Sequence, residues 1–398
     1  MRIAVIGGGF SGLLAAYLLE QKGIKTTVFE REDNLGGHCQ TLVSKNFRVE
    51  LGTAFFLNDH IKELLAELDV SYTARHSYRD FVDKSYARVP LLPEHEIALL
   101  MSELARLEVL LTKYGGFDGE TTYGYVHEDL NVPLSEFLSG HDFKAVHRVI
   151  APHLSAYGFG SIDEVQAYYA LNAFDLRTIN QFMRGEKLLF INEGTADIIA
   201  KLSCHITDIR YTEVSGIAPQ GGRVQVSTAY GIDTFDKVLI STVVSPTAIQ
   251  DEPARAFMQR LSTNDYVSCA FEIANKNRVT TYYLDNLGQQ NALQFFHAYK
   301  QKERTIAVAY AYGLLDQHFI TAIHHELQAS GIVVKHLIAA RQWRIFPHLK
   351  KEALHGATYT DITQQKESRP IYFIGSLITK PSISHLYLSV KGFVEQTF

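Results

Sequence analysis

The N-terminal stretch "MRIAVIGGGFSGLLAAYLLEQKGIKTTVFEREDNLGGHCQT", residues 1–41, decides the fold class. The apolar run before Gly7 is typical of a buried parallel strand, and the segment after Gly9 is typical of a helix that packs on it. Gly7 permits the sharp turn, Gly9 lets the backbone approach a pyrophosphate, and Gly12 lets the helix pack closely on the strand. The next strand ends at Glu30, which is placed to accept hydrogen bonds from an adenosine ribose. Together these features predict a dinucleotide-binding βαβ unit.

The start of the first helix, at Phe10 and Ser11, offers unpaired N–H groups and a partial positive charge to phosphates. The glycine motif alone is also compatible with a structural turn or with a nicotinamide site. A second glycine pair, Gly36-Gly37, follows the acid Glu30 by six residues, and an ordinary nicotinamide unit does not need it.

The arrangement of Glu30 and this glycine pair resembles flavin enzymes of the amine oxidase, phytoene desaturase and protoporphyrinogen oxidase superfamily. The resemblance implies non-covalently bound FAD, with the pair running beside the diphosphate. It also implies cofactor contacts at Arg31, His38, Gly52, Val214, Trp343, Gly375 and Ser376. Two positions depart from the pattern, since His38 stands where an arginine is common and Ser376 where an acid is expected. A hydroxyl can still bond a ribitol or phosphate oxygen, but it brings no charge.

Composition and charge narrow the function classes. The chain has 398 residues, 46% hydrophobic and 20% charged, which is normal for a soluble globular protein with a large core. A net charge of −5 argues against a basic surface for nucleic acid, and no apolar run approaches the ~20 residues that cross a bilayer. The three cysteines are far apart and the 17 histidines lack ligand spacing. We therefore expect a cytoplasmic protein without a metal or nucleic acid partner.

The pattern along the chain predicts an α/β protein with interleaved domains. Residues 1–74, 191–250 and 340–398 are predicted to form a discontinuous Rossmann-like FAD-binding domain with a parallel sheet and a β-meander. Residues 75–190 have mainly helical spacing and are predicted to form a cap. Residues 251–339 are predicted to form a mixed α/β substrate domain, whose antiparallel sheet is the floor of a pocket.

Three longer segments carry a narrower resemblance. They are "KYGGFDGETTYGYVHEDLNVPLSEFL" (113–138), "SAYGFGSIDEVQAYYALNAFD" (155–175) and "RQWRIFPHLKKE" (341–352). In the same order along the chain, they look like blocks of the bacterial polyunsaturated (polyenoic) fatty acid isomerases. The resemblance implies an FAD enzyme that converts linoleic acid into a conjugated isomer. No Ser/His/Asp, Cys/His or paired-carboxylate motif stands out, and this chemistry does not require one.

Two residues of this chain match functional residues of that family. Arg79, in "YRDF" (78–81), matches an arginine that binds the fatty acid carboxylate at the pocket mouth, where its forked donors suit a bidentate contact. The alternative is a surface arginine that pairs with Asp80 or another neighbour. Phe182, in "NQFMRGE" (180–186), matches an aromatic gate, with ordinary core packing as the alternative. Other aromatic candidates for lining the pocket or facing a cationic intermediate are Phe55, Phe56, Tyr168, Tyr169, Phe295, Phe296 and Trp343.

The reaction that the resemblance implies is redox-neutral. A hydride leaves the doubly allylic carbon for the flavin and returns to the far carbon, which gives a conjugated diene. The substrate would be a free polyunsaturated fatty acid, the helical cap is a candidate for transient contact with a membrane surface, and we expect a monomer or homodimer. Two alternatives stay open. One is an oxidase, dehydrogenase or desaturase of the same superfamily that acts on a lipid or amine, and the other is a flavin-binding protein without catalysis.

Overall fold

The structure is a computed structural model that describes residues 1–45, 47–57, 59–115, 122–275, 279–363 and 369–398. Residues 116–121, within the first isomerase-like segment, lie outside the described residues. The helices are α1 (Phe10–Gln21), α2 (Lys62–Glu67), α3 (Ile97–Thr112), α4 (Leu134–Gly140), α5 (Lys144–Ala156), α6 (Ala167–Ala173), α7 (Leu176–Met183), α8 (Thr195–Ser203), α9 (Glu252–Arg260), α10 (Gln317–Ala329), α11 (Thr358–Thr363) and α12 (Ile383–Thr397).

The strands form five sheets, and their bounds follow in chain order. They are β1 (Arg2–Ile6), β2 (Lys25–Glu30), β3 (Thr41–Val43), β4 (Arg48–Glu50), β5 (Tyr72–Arg75), β6 (Arg79–Val82), β7 (Arg88–Val89), β8 (Leu188–Ile191), β9 (Ile209–Tyr211), β10 (Val214–Gln220), β11 (Arg223–Thr228), β12 (Gly231–Phe235), β13 (Lys237–Ile240), β14 (Leu261–Ile273), β15 (Thr280–Tyr283), β16 (Leu293–Gln301), β17 (Arg304–Tyr312), β18 (Val334–Leu349) and β19 (Ile371–Phe373).

A five-stranded sheet in the order β19-β13-β1-β2-β9 is parallel throughout. Its central strand β1 is buried on both faces after Arg2, which explains the uninterrupted apolar run of the sequence. Helices α1, α8 and α12 cover one face with a shared core that includes Leu13, Ile198 and Val390. The three-stranded antiparallel meander β10-β11-β12 follows β9. The predicted fold class, a Rossmann-like parallel sheet with a meander, is therefore confirmed.

A seven-stranded sheet in the order β18-β14-β17-β16-β15-β6-β7 forms the second large layer. It is antiparallel as predicted, except that β15 and β6 run parallel. Helix α10 packs on one face of this sheet through Phe319, Ile323 and Leu327. Strand β18 runs without interruption through residue 340, where the sequence placed a domain boundary. The domain ranges stay a prediction, but residues 340–349 pair with this sheet.

Helices α3 to α7 lie between residues 97 and 183, in the segment predicted as a helical cap. Two tyrosine hydroxyls of the seven-stranded sheet hold the C-terminal end of α5. Tyr312 donates to the carbonyl of Ser155 (2.5 Å), and Tyr266 donates to the carbonyl of Ala156. The last carbonyls of a helix have no partner within the helix, so these bonds satisfy them and fix α5 over one face of the sheet.

Candidate functional site

The two glycine clusters lie side by side at the carboxyl end of β1. The N–H of Gly36 donates to the carbonyl of Gly8 (2.8 Å), and Gly9 forms an isolated parallel bridge with Gly36. Gly36 has φ +117°, and a Cβ there would lie 2.5 Å from the backbone oxygen of Cys39. A Cβ at Gly12 would lie 2.0 Å from a backbone oxygen of the first turn. Both positions therefore require glycine, as the sequence predicted for a dinucleotide turn.

The N-terminus of α1 is open to an anion. Among the described residues no side chain caps this helix, whose N-cap residue is Gly9, so the first turn has N–H groups free for a phosphate. The C-terminal part of the chain also reaches this point, because a Cβ at Gly375 (φ +70°) would lie 2.6 Å from Oγ of Ser11. Ser376 follows in the same 3₁₀ turn and is half-buried.

Glu30 is fixed at the end of β2 by backbone donors. Its Oε2 accepts from the N–H of Gly8 (2.7 Å), and its Oε1 accepts from the N–H of Glu32 (2.9 Å). Each carboxylate oxygen keeps a further lone pair for a ribose hydroxyl. The side chain of Arg31 is exposed, with its Nε 3.5 Å from Glu32, and an ion pair of this kind contributes little to stability.

Trp343, on β18 of the seven-stranded sheet, contacts the segment that follows the second glycine pair. Its ring centroid lies 5.5 Å from that of His38, and its Nε1 donates to Oγ of Ser268 (2.9 Å). A Cβ at Gly52 would lie 2.1 Å from the carbonyl oxygen of His38 and 3.4 Å from Trp343. The structure therefore brings three predicted cofactor residues, His38, Gly52 and Trp343, into one place.

One face of the seven-stranded sheet carries a row of buried aromatic rings, which we call the aromatic face. Its residues, one per strand from β6 to β18, are Phe81, Tyr282, Phe295, Tyr310, Tyr266 and Trp343. The centroids of neighbouring rings lie between 4.6 and 6.1 Å apart from Phe81 to Tyr266, and Trp343 is the register partner of Tyr266. Five strand spacings of ~4.8 Å make the row about 24 Å long. The aromatic face is long enough to contact an extended lipid chain.

Arg79 and Phe182 lie together at the edge of the aromatic face. The guanidinium carbon of Arg79 is 4.6 Å from the ring centroid of Phe182, and Nη1 donates to the carbonyl of Phe182 (3.2 Å). Asp80, the expected alternative partner, instead pairs with Arg88 (3.0 Å). Within the described part of the chain, no carboxylate forms an ion pair with Arg79. Its charge is therefore available to an anionic ligand.

Behind Phe182 lie three residues that the sequence did not single out. His153 stacks on Phe182 with 4.3 Å between ring centroids, and the hydroxyls of Tyr157 and Tyr282 lie 3.3 Å apart. Burial, with a smaller effect of Arg79, lowers the pKa of His153 well below its usual value. Burial raises the pKa of Tyr282 well above its usual value. These groups are therefore neutral near pH 7.

The remaining substrate and cofactor candidates are distributed over different cores. Phe55 lies near the residues behind Phe182, with its ring centroid 5.9 Å from that of Tyr157. The structure does not bring the other candidates onto the aromatic face. Phe56 lies in the core that α1, α8 and α12 share, and Tyr168 packs among other tyrosines. Val214 lies in a core with residues of the meander, and Phe296 lies on the opposite face of the sheet. Their roles stay predictions.

Comparisons with known proteins agree with this architecture. A family described as "NAD(P)-binding Rossmann-like domain" matches residues 5–68. The crystal structure of a CLA-producing fatty acid isomerase from P. acnes superimposes with a TM-score of 0.88, covering 100% of this chain and 98% of that chain at 23% identity. The chain has the fold of that isomerase. The fold that the resemblance of the three sequence segments implies is confirmed.

Curated relatives add a range of chemistries. The chain is 29% identical over 244 residues to (S)-6-hydroxynicotine oxidase of Paenarthrobacter nicotinovorans, a match that covers 57% of this chain and 56% of the relative. It is 23% identical over 307 residues to 4,4'-diaponeurosporene oxygenase of Staphylococcus aureus, covering 72% and 58%. The chain thus spans little more than half the length of these relatives.

Neither a membrane span nor a metal cluster is found in the described ranges. No helix there is long and apolar enough to cross a bilayer. No group of three or more His, Cys, Asp or Glu side chains in these ranges could hold a metal ion.

Proposed function

We propose that this protein is an FAD-dependent enzyme that isomerises free polyunsaturated fatty acids. The observation that carries the proposal is the aromatic face, which extends from Arg79 on β6 to Trp343 on β18, beside the glycine turns. A ligand that fits it has an anionic end, a long apolar body and unsaturation that benefits from contact with π-faces. A polyunsaturated fatty acid has all three.

The residues at the glycine turns fit FAD. The open first turn of α1 would take the diphosphate, and Glu30 would take the ribose. Among the described residues, the three atoms nearest to a Cβ at Gly9 are backbone atoms of Gly36 and Gly37, at 3.8–4.0 Å. A bound oxidised flavin supplies reversible hydride transfer, which can move a double bond into conjugation without net loss of electrons.

The protein's own contribution is placement and exclusion of water. Arg79 would bind the carboxylate, and Phe182 would close the entrance behind the fatty acid. The aromatic face would desolvate the diene and stabilise positive charge on it. Trp343 is held in place by its bond to Ser268, so its position does not depend on the substrate.

The test is a reaction under nitrogen. The purified flavoprotein is mixed with linoleic acid while conjugated-diene absorbance and flavin absorbance are followed together. We expect diene to accumulate over many turnovers without lasting loss of flavin colour. Persistent bleaching with no diene would contradict the isomerase and indicate a dehydrogenase that lacks its acceptor.

A flavin oxidase is the second candidate, favoured by the similarity to (S)-6-hydroxynicotine oxidase. The site argues against a cationic amine as its substrate, because Arg79 at the entrance would repel a positive charge. An oxygen electrode distinguishes the two activities: an oxidase consumes oxygen in proportion to the substrate converted, whereas the isomerase consumes none.

A further inference from the structure

His153 has a buried polar atom that forms no hydrogen bond within the described residues. The side chain is 2% exposed, and within the described residues its Nδ1 has no hydrogen-bond partner. A phenylalanine would stack on Phe182 equally well without burying an unpaired nitrogen. Nδ1 of His153 can therefore still form a hydrogen bond, which it does not form while Phe182 packs on the imidazole.

The groups around His153 do not satisfy this nitrogen. Tyr157, the residue directly after α5, and Tyr282, on β15, pair with each other through their hydroxyls. Phe81 and Phe182 offer only ring faces, at 6.4 and 4.3 Å between centroids. The charged group nearby is the guanidinium of Arg79 on β6, which is itself a donor. An acceptor that suits both residues must come from outside.

Phe182 is the element that separates His153 from an incoming ligand. Its ring contacts His153 at 4.3 Å and the guanidinium of Arg79 at 4.6 Å. Both residues therefore border the volume that this one ring occupies. When the ring swings away, a cationic donor and a neutral imidazole face the same space.

We propose that His153 is a second carboxylate-binding residue, which donates from Nδ1 to the fatty acid head group that Arg79 also binds once Phe182 has moved aside. The inference rests on the proposed function, since it assumes that the ligand is a fatty acid. It predicts selection for a free carboxylate over a neutral head group, because a charge-assisted hydrogen bond is about twice as strong as a neutral one.

The test measures binding of oleic acid and of methyl oleate, which lack doubly allylic hydrogens and so should not react. Titrations of the flavoprotein compare the wild type with His153→Phe, which keeps the stacked ring, and His153→Gln, which restores a donor. We expect His153→Phe to weaken oleic acid binding about tenfold or more, and methyl oleate binding about threefold or less. His153→Gln should stay within about threefold of the wild type for the acid. With linoleic acid, His153→Phe should raise KM and leave kcat unchanged.

The outcomes separate this inference from the proposed function. If the wild type binds oleic acid and His153→Phe binds it equally well, the inference is wrong and the function stands. Equal weakening of acid and ester would indicate packing alone and would also overturn it. If the wild type binds no fatty acid, both proposals fail. Should His153→Phe not fold, as judged by circular dichroism and flavin content, His153→Met takes its place as the variant without a donor.

Discussion

Replacing Arg79 by glutamine is the sharpest test of the substrate site. A bidentate contact between this guanidinium and a carboxylate consists of charge-assisted hydrogen bonds, which contribute about 1.5–3 kcal/mol each. Arg79 is half-buried, so solvent screens part of this energy. A net loss of about 2–3 kcal/mol corresponds to a 30- to 150-fold increase in the dissociation constant for oleic acid.

The same substitution should have a small effect on folding. Arg79 makes one long hydrogen bond, to the carbonyl of Phe182 (3.2 Å), and one cation–π contact with its ring. Together these contribute about 1 kcal/mol, since neither is deeply desolvated. The melting temperature should therefore fall by a few degrees only, and a binding assay at 25 °C would report on the ligand contact.

The assay is titration calorimetry of the flavoprotein with oleic acid. The matched control is Arg88→Gln, which removes an exposed arginine from the adjacent strand and should change the affinity less than twofold. The affinity of Arg79→Lys should lie between those of the wild type and Arg79→Gln, because lysine keeps the positive charge but cannot form the bidentate contact. Wild-type affinity in Arg79→Gln would refute a carboxylate site at this position. An equal loss in Arg88→Gln would show that only the overall charge matters.

Two further predictions concern the cofactor turn and stability. In Gly12→Ala the new Cβ would lie 2.0 Å from the oxygen of Gly7; flavin content and melting temperature should both fall, whereas Gly392→Ala, in open space on α12, should be neutral or stabilising by about 0.5–1 kcal/mol. Burial, aided by Arg75, lowers the pKa of His297 to about 4. The unfolded chain binds this proton more readily, so stability should fall by at most about 3 kcal/mol as the pH drops from 6.5 to 4. Urea unfolding of His297→Gln should show a weaker pH dependence.

The cofactor turn could be predicted from the sequence because its chemistry is local. Gly7, Gly9 and Gly12 are close in the chain, and the steric reason for a glycine at each position follows from the geometry of a dinucleotide-binding turn. The role of the second glycine pair could be predicted only from the family resemblance, since the contact of Gly36 with the first turn joins segments about thirty residues apart. Arg79 and Phe182 were likewise found by resemblance, and only the structure shows that they touch.

The sequence does not indicate which face of the seven-stranded sheet each aromatic residue lies on. Phe295 and Phe296 are neighbours on β16, so one points to each face of the sheet. Both faces are buried, one under α10 and the other as the aromatic face. The usual alternation of polar and apolar residues is therefore missing, and the pattern cannot tell which ring faces the site. His153 was missed because its neighbours Phe182 and Arg79 come from distant parts of the chain, and no spacing in the sequence places the three together.

The position of Phe182 depends on segments from distant parts of the chain. The residue that caps the start of α7 is Asp175, whose carboxylate accepts from the N–H of Thr178 (2.8 Å) and lies 3.4 Å from the ammonium of Lys380. Lys380 follows the turn at Gly375 that meets the start of α1, whereas the other end of α7 is held by Arg79 from the edge of the sheet. The helix that carries Phe182 therefore contacts a segment adjoining the cofactor turn at one end and the edge of the aromatic face at the other. Because these contacts join residues more than a hundred positions apart, the position of Phe182 is set by long-range packing and not by the local sequence of α7.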